Sequence, residues 1–342
     1  MMAVFGKQRL GIDLGTANTV ICIAGKGIVL RQPTLVAINK ESGAIEAYGK
    51  EAYRLQGRTS DSYEMIHPIQ RGVIANMSVT KQLLAHFINQ AINLSLSKPE
   101  IVISAPSNIS KVERKAVIDA IRSLGVNRAM IVEEPFAAAI GAGMAIEEPR
   151  GKMVVDIGGG TTDIATLSYG EIVKSLTVES AGSAMNEAIK DAVRQDYHLI
   201  IGDYTAETLK IVMGNANYQE PEDQDHLIVS GQKMGAGVPA RAKISAATVA
   251  QAVNQGMVPI INGIKQVFEQ TPPELAADIM ETGIVLTGGS ALLKRLPERI
   301  QAEIGVPTRL ANLPLDSVAL GTGRLFDELT RQSAVIEQKL RL

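Results

Sequence analysis

Short apolar runs alternate along the chain with stretches whose apolar residues recur every three or four positions, and this alternation predicts an α/β architecture. Strands are expected at residues 10–12, 20–24, 101–104, 153–155 and 284–286. Several run into polar or glycine-bearing turns, where open α/β sheets bind their ligands. Helices are placed by their end signals. Ser110 and Glu113 form a capping box, Val117, Ala120, Ile121 and Leu124 line one face, and Gly125 marks the stop. A second helix is expected after Ser78, burying Leu84, Phe87, Ile88 and Ile92.

One pattern occurs twice. Asp13-Leu14-Gly15-Thr16-Ala17-Asn18-Thr19 follows an apolar run and precedes Val20-Ile21-Cys22-Ile23, and Asp156-Ile157-Gly158-Gly159-Gly160-Thr161-Thr162 sits in the same way before Ile164-Ala165-Thr166-Leu167. Aligned, the two share the aspartate, an aliphatic residue, a glycine and the final threonine. The chain therefore reads as two similar α/β halves, each presenting an acidic, glycine-bearing turn between two strands. Two stretches interrupt the halves. One, at about 32–65, is polar and carries a turn signal at 39–43; the other, at about 181–251, contains helical patterns near 185–197 and 206–213. Within the second, the acidic run 219–225 reads as a solvated loop.

Composition narrows the choice of function. At 342 residues the chain is long enough for two domains. Its 34 lysines and arginines against 36 acids leave no bulk basic field, which argues against nucleic acid as a partner. The one cysteine, Cys22, lies in an apolar run, as suits a reducing cytoplasm. His67, His86, His198 and His226 are scattered, with no zinc-site spacing. No apolar run is long enough to cross a bilayer, and the opening residues are too few for a signal peptide.

The paired turns carry the candidate chemistry. Successive backbone amides in a glycine turn cradle anionic oxygen, Gly158, Gly159 and Gly160 let a phosphate approach without a Cβ in the way, and the threonine hydroxyls add donors. Asp13 and Asp156 would repel each other and the phosphate; a divalent cation removes that objection, and magnesium suits carboxylate, water and phosphate oxygens. Either turn alone reads equally as an ordinary hairpin turn, and it is the repetition that favours phosphate. Residues 43–50 miss the P-loop spacing, and no G-x-G-x-x-G follows a strand. A third element, IVLTGGSA at 284–291, either lets a flat adenosine lie on bare backbone at Gly288 and Gly289 or is a plain strand-to-helix turn. In a fourth, Ile131-Val132-Glu133-Glu134-Pro135, one carboxylate either positions water for attack on a terminal phosphate or is a common helix-start acid.

In this order the four elements resemble the actin-like ATPase superfamily of actin, sugar kinases and the seventy-kilodalton heat-shock chaperones. IDLGTANT, VVDIGGGTT, EEPFAAAIGA, TPPELAADIM and GIVLTGG resemble the MreB family of bacterial actin homologues more closely still, over residues 10–323. The resemblance implies an actin-like ATPase fold of two related α/β domains, 1–145 plus 314–342 and 146–313, each with a smaller inserted subdomain at about 32–65 and 181–251. It implies ATP with Mg2+ served by Asp13 and Asp156, the β- and γ-phosphates held by Gly15, Thr16, Ala17, Asn18 and by Gly158, Gly159 and Gly160, Thr161 beside the γ-phosphate, and Glu134 orienting the attacking water. Glu207 and Lys210, otherwise an i,i+3 surface ion pair, would face the nucleoside, and Gly288, Gly289, Ser290 and Ala291 would complete the adenosine site. Ser290 stands where the family commonly has glycine, and Asp163 where it often has glutamate.

The implied function is an ATP-binding protomer that assembles into filaments with copies of itself, hydrolyses ATP slowly, and organises cell-wall synthesis and rod shape. It would work at the inner face of the cytoplasmic membrane beside membrane-bound wall-synthesis and shape proteins, touching lipid through Phe5, Leu94 and Leu96. A small-molecule kinase on the same fold is the alternative, although no aspartate outside the phosphate turns stands ready for an acceptor hydroxyl. A chaperone-type ATPase would need a further domain after the core, for which about twenty residues past Gly323 are too few.

Overall fold

The computed structural model describes residues 8–92, 98–126, 128–219 and 225–331. Phe5, Leu94, Leu96 and most of the acidic run at 219–225 lie outside the described residues. The first sheet grows from the first motif: β1 (Arg9–Leu14) pairs antiparallel with β2 (Asn18–Ile23), and β2 with β3 (Gly27–Pro33). The chain then leaves as a small insertion of β4 (Val36–Asn39), β5 (Ile45–Tyr48), α1 (Lys50–Leu55) and β6 (Tyr63–Ile66), whose strands order as β5-β4-β6. It returns through the two-stranded ribbon β7 (Ile69–Gln70) and β8 (Val73–Ile74), followed by α2 (Met77–Ala91), β9 (Glu100–Ala105), α3 (Lys111–Arg122), β10 (Arg128–Glu133) and α4 (Glu134–Gly141). Strands β9 and β10 add in parallel beyond β1, giving the order β10-β9-β1-β2-β3.

The second half repeats the plan. β11 (Lys152–Ile157), β12 (Thr162–Ser168) and β13 (Glu171–Val178) form the antiparallel part. α5 (Gly182–Tyr197), β14 (Leu199–Ile200), α6 (Asp203–Met213), β15 (His226–Lys233) and β16 (Pro239–Ser245) follow, with their own three-stranded sheet. After α7 (Ala246–Gln270) and α8 (Pro273–Thr282), β17 (Ile284–Thr287), α9 (Leu296–Ile304) and β18 (Thr308–Leu310) complete the order β13-β12-β11-β17-β18, and α10 (Ser317–Arg331) ends the description. Central strands such as β11 are buried along their whole length because helices cover both sheet faces, which is why they read as unbroken apolar runs.

Local signals are realised closely, with two shifts. The capping box at α3 is present in both directions: Glu113 N–H donates to Ser110 Oγ at 3.2 Å, and Ser110 N–H to Glu113 Oε2 at 2.9 Å. Helix α2, expected after Ser78, starts at Met77 because Asn76 takes the cap, its Oδ1 accepting from Val79 N–H at 3.0 Å. The helix expected directly after Gly288-Gly289 is a 3₁₀ turn, Ser290–Leu292, and α9 begins only at Leu296.

The halves are joined by a shared core. Val102, Met130 and Val132 from the first sheet and Val154, Ala165 and Leu167 from the second meet around Ala137, Ala138 and Ala139 of α4 and Val318, Leu325 and Phe326 of α10. Helices α4 and α10 approach to backbone contact: a Cβ on Gly141 would overlap Ser317 O, and one on Gly321 would overlap Ala137 O. The last helix is thus built into the first half. Adding a methyl group at such a crossing overpacks it, at a cost of typically ~1–3 kcal/mol. Gly321→Ala is therefore expected to lower the urea midpoint by an equivalent amount; an unchanged midpoint would show that α10 can shift off α4 without loss.

Candidate functional site

The two motif turns face each other across a cleft between the sheets. Each closes in the same way, Gly15 N–H donating to Asn18 O at 3.1 Å and Gly158 N–H to Thr161 O at 2.9 Å. None of Gly15, Gly158, Gly159 and Gly160 has left-handed backbone. Their need for glycine comes from contact instead: a Cβ on Gly159 would lie 2.5 Å from Ala17 Cβ, and one on Gly160 2.6 Å from Thr16 Oγ1. The turns touch, and the opposite turn occupies the space that side chains would fill. The shared final threonines, Thr19 and Thr162, are fully buried and spend their hydroxyls inside the protein. Thr162 Oγ1 donates to Ser180 O at 2.7 Å, and Thr19 Oγ1 pairs with Thr34 Oγ1 at 2.9 Å. They pin the turns, whereas Thr16 and Thr161 face the cleft.

Beside the turns opens a cavity of about 430 Å³, within the range of small-molecule sites. Asp13, Gly15, Thr16, Ala17 and Asn18 line it from the first half, Asp156, Gly158, Gly159, Gly160 and Thr161 from the second. Glu134, at the start of α4, joins them. At the far side stand Glu207 and Lys210 of α6 and Gly288, Gly289 and Ser290 after β17. Ala291 does not reach the cavity; it is buried in the core of the second half. Lys210 is no surface residue: its Nζ donates to Gly182 O at 3.0 Å and to Glu207 Oε2 at 2.9 Å, and Asn186 Nδ2 donates to the same carboxylate oxygen at 2.7 Å. Gly288 has φ +86°, and a Cβ there would strike Ile157 O, so the third glycine element is fixed by strain and by close approach.

The acids at the centre are costly to ionise. Burial raises the Asp156 carboxyl to about 7 despite a 2.7 Å hydrogen bond from Thr287 Oγ1. Asp13 keeps a partial opening to the cleft, yet enclosure by the protein and then the charge of Asp156 bring it to about 7 as well. Glu134 is pushed well above the usual carboxylate range, first by burial and then by Asp163, Asp13 and Asp156. Asp163, buried beside it, is raised to about 6 by burial while accepting from Thr177 Oγ1 at 2.6 Å; its Oδ2 has no donor among the described residues unless Glu134 carries a proton. Such a group of acids calls for a cation. Among the described residues no three metal-ligating side chains gather; Asp13 and Asp156, the acids ending the two motif strands, could hold magnesium, which is bound through one or two carboxylates, water and phosphate oxygens.

Several residues that line or brace the site had no role assigned from the sequence. Thr287, the Cα partner of Asp156 in the sheet, was legible as a polar residue ending a buried strand. Ser104 Oγ likewise donates to Asp13 Oδ1 at 3.4 Å from the end of β9. Arg31 had no local signal, because its partners Asp316 and Leu315 O lie far along the chain; this pair fixes Pro314 and Leu315 at the cavity wall. Gly72, whose N–H donates to Thr16 Oγ1 at 3.1 Å, arrives from the turn between β7 and β8.

The family model described as MreB/Mbl protein matches residues 7–334. The cell shape-determining protein Mbl of Bacillus subtilis (strain 168) is 43% identical over 330 residues, covering 95% of this chain and 97% of that protein. The cell shape-determining protein MreB of Escherichia coli (strain K12) is 39% identical, with 93% of each covered. Among solved structures, MreB 5 of Spiroplasma citri bound to AMPPNP superposes with a TM-score of 0.90 at 33% identity, over 98% of this chain and 99% of that one. The MamK double helical filament superposes with a TM-score of 0.81 at 22% identity, over 95% and 100%, a likeness of actin-like fold alone.

The raised carboxyl of Asp156 has a signed consequence for stability. The folded protein holds a proton that the unfolded chain releases, so without metal or ligand this group makes folding less favourable as pH rises from about 4 to about 7. Urea midpoints of wild type relative to Asp156→Asn should therefore fall between those limits and level off above them. A wild-type midpoint that rises relative to the variant over that range would mean that a neighbour holds Asp156 ionised.

Proposed function

The chain belongs to the MreB/Mbl family, and from that premise we propose that it is an ATP-binding, actin-like protomer that assembles into filaments and hydrolyses ATP slowly with Mg2+. On this reading it serves cell shape by organising wall synthesis from the inner face of the cytoplasmic membrane. The observation that carries the proposal is the pair of facing motif turns, with their aspartates at the rim of one cavity. The Spiroplasma citri relative bound to AMPPNP and, in a second structure, to ADP supports nucleotide as the ligand. The names of the curated relatives support the role in cell shape. Residues 1–145 with 314–342, and 146–313, are read as the two domains.

The chemistry follows from the residues present. Asp13 and Asp156 would hold Mg2+, which when bound neutralises phosphate charge and eases the mutual repulsion of the acids. The amides of the two turns bind the phosphates, and Thr161 sits beside the outermost one. Lys210 and Glu207 close on the nucleoside, against the bare backbone of Gly288 and Gly289. Glu134, once ionised, accepts a hydrogen bond from water and aims it at the terminal phosphorus; positioning and charge placement are most of what phosphoryl transfer asks of a protein. The kinase alternative lacks a base: the acids lining the cavity are Asp13, Glu134, Asp156 and Glu207, all used, so none is left for an acceptor hydroxyl.

Sedimentation with ATP, followed by electron microscopy, tests the whole reading: filaments that need no acceptor substrate are expected, and acceptor-dependent ADP release by a monomer would refute it. Glu134→Ala should slow phosphate release by ~10²–10⁴-fold while leaving ATP affinity largely intact, and unchanged hydrolysis would reduce Glu134 to a helix-start acid.

Membrane contact is proposed through Phe5, Leu94 and Leu96. Each side chain contributes at most ~1.5–3 kcal/mol on burial, so a single protomer binds lipid weakly and a filament binds through repetition. Liposome co-sedimentation of a Leu94→Ser, Leu96→Ser variant should fall below wild type under assembling conditions only. Tight lipid binding by unassembled wild type would contradict the avidity argument.

A further inference from the structure

We propose that a clasp between the two insertions, made by Tyr53, Gln56 and Arg58 on one side and Asp203 and Tyr204 on the other, holds the mouth of the cavity shut and sets the rate at which nucleotide leaves. The proposal rests on the nucleotide reading above. Gln56, just after α1, donates from Nε2 to Asp203 Oδ2 at 3.3 Å. The rings of Tyr53 and Tyr204 lie 6.2 Å apart at a tilt of 54°, and the Arg58 guanidinium sits 5.9 Å from the centre of the Tyr204 ring. These contacts join the first insertion to the second across the cleft.

The receiving side is braced. Asp203 gives one carboxylate oxygen to Gln56 and the other to Lys190 Nζ of α5 at 2.7 Å, and Lys190 is paired in turn with Glu187 at 2.6 Å. The clasp therefore pulls on the packed pair α5 and α6 rather than on a loose side chain.

Helix α6 links clasp and cavity. Asp203 and Tyr204 are its first two residues, and Glu207 and Lys210, one and two turns further on, line the cavity. A helix this short moves as one body, and Lys210 is tied to the second half through Gly182 O, so separation of the insertions carries the Lys210 wall away from the motif turn of the first half. With the clasp closed, a ligand held between the motif turns and α6 leaves only after these contacts break. Tyr204 is 62% exposed, and each contact is individually modest, which suits a latch that opens repeatedly rather than a permanent joint. The other bridge from the first half, Arg71 to Glu179 at 3.5 Å, is between exposed groups and adds little.

An aromatic pair and an exposed cation–π contact together correspond to roughly five- to fifty-fold in a rate. The test is stopped-flow release of a fluorescent ATP analogue from the full chain, chased with unlabelled ATP below the assembly concentration. Tyr204→Ala should accelerate release by about that factor, whereas Tyr204→Phe, which keeps both ring contacts, should stay near the wild-type rate. Tyr53→Ala removes the ring pair from the other insertion but leaves Arg58 over Tyr204, and should accelerate release by a smaller factor, roughly two- to ten-fold. Release at the wild-type rate in both alanine variants would overturn the clasp. Absence of analogue binding by wild type would instead overturn the nucleotide reading, so the two failures are distinguishable.

Discussion

Asp13 and Asp156 sit at the ends of two buried strands, enclosed deeply enough that burial raises both carboxyls, with Asp156 adding to the cost of ionising Asp13 and Asp163 to that of Asp156, and their surroundings are organised around that cost. Taking a carboxylate out of water is unfavourable by several kcal/mol unless something offsets it. Ser104 and Thr287 each supply one hydrogen bond, too little to hold the charges, and Asp163 and Glu134 add two more acids to the same small volume. The strand ends are held near each other by the core that the two sheets share with α4 and α10, and the turns that follow them are in contact through Ala17 and Gly159 and through Thr16 and Gly160. Folding therefore builds a place whose unfavourable electrostatics only protons or a cation can relieve. The proposed ligand, nucleotide with magnesium, would bring such a cation.

Much of the framework could be read from the chain because its signals are local. The doubled motif announced two similar halves; continuous apolar runs marked the central strands; Ser110 and Glu113 marked a helix start that the structure keeps. What escaped was long-range. The contact of the two turns explains Gly159 and Gly160 better than any local conformation, since neither has positive φ. Arg31 meets Asp316 across most of the chain's length, and Gly141 and Gly321 are demanded by a helix crossing that no single window of sequence contains. Local spacing alone left Lys210 as half of a surface pair, and only the family resemblance turned it inward; its ammonium group donates to Gly182 O, twenty-eight residues away. Asn76 displaced Ser78 as a cap because both are competent and geometry chose between them.

The two halves are tied together unequally. At one end, α4 and α10 share a dry core with both sheets, and the helices touch backbone to backbone. At the other end, across the cavity mouth, the connection consists of a tilted ring pair, a cation over a ring and an amide on a carboxylate, all near solvent. A body joined this way opens at its weaker end and pivots about its packed one. The cavity lies between these two ends, lined by Glu134 of α4 and Val318 of α10 on the packed side and by Glu207 and Lys210 of α6 on the other.

Helix α10 also fixes an order of events during synthesis. The strands of the first sheet are all made by Glu133, but Ala319, which covers Val20 and Cys22, and the Thr322–Gly323 backbone, on which Gly11 rests, come near the end of the described chain. The second half covers one face of its sheet with its own α5 and α7 and completes its strands at β18, which precedes α10, while Val154, Ala165 and Leu167 on the other face share their core with α4 and α10. Until α10 is in place, the central strands of the first sheet stay bare on one face and the core shared by the two sheets stays incomplete. It is in that interval, rather than in the mature protein, that unpaired apolar surface is most open to aggregation and to chaperones.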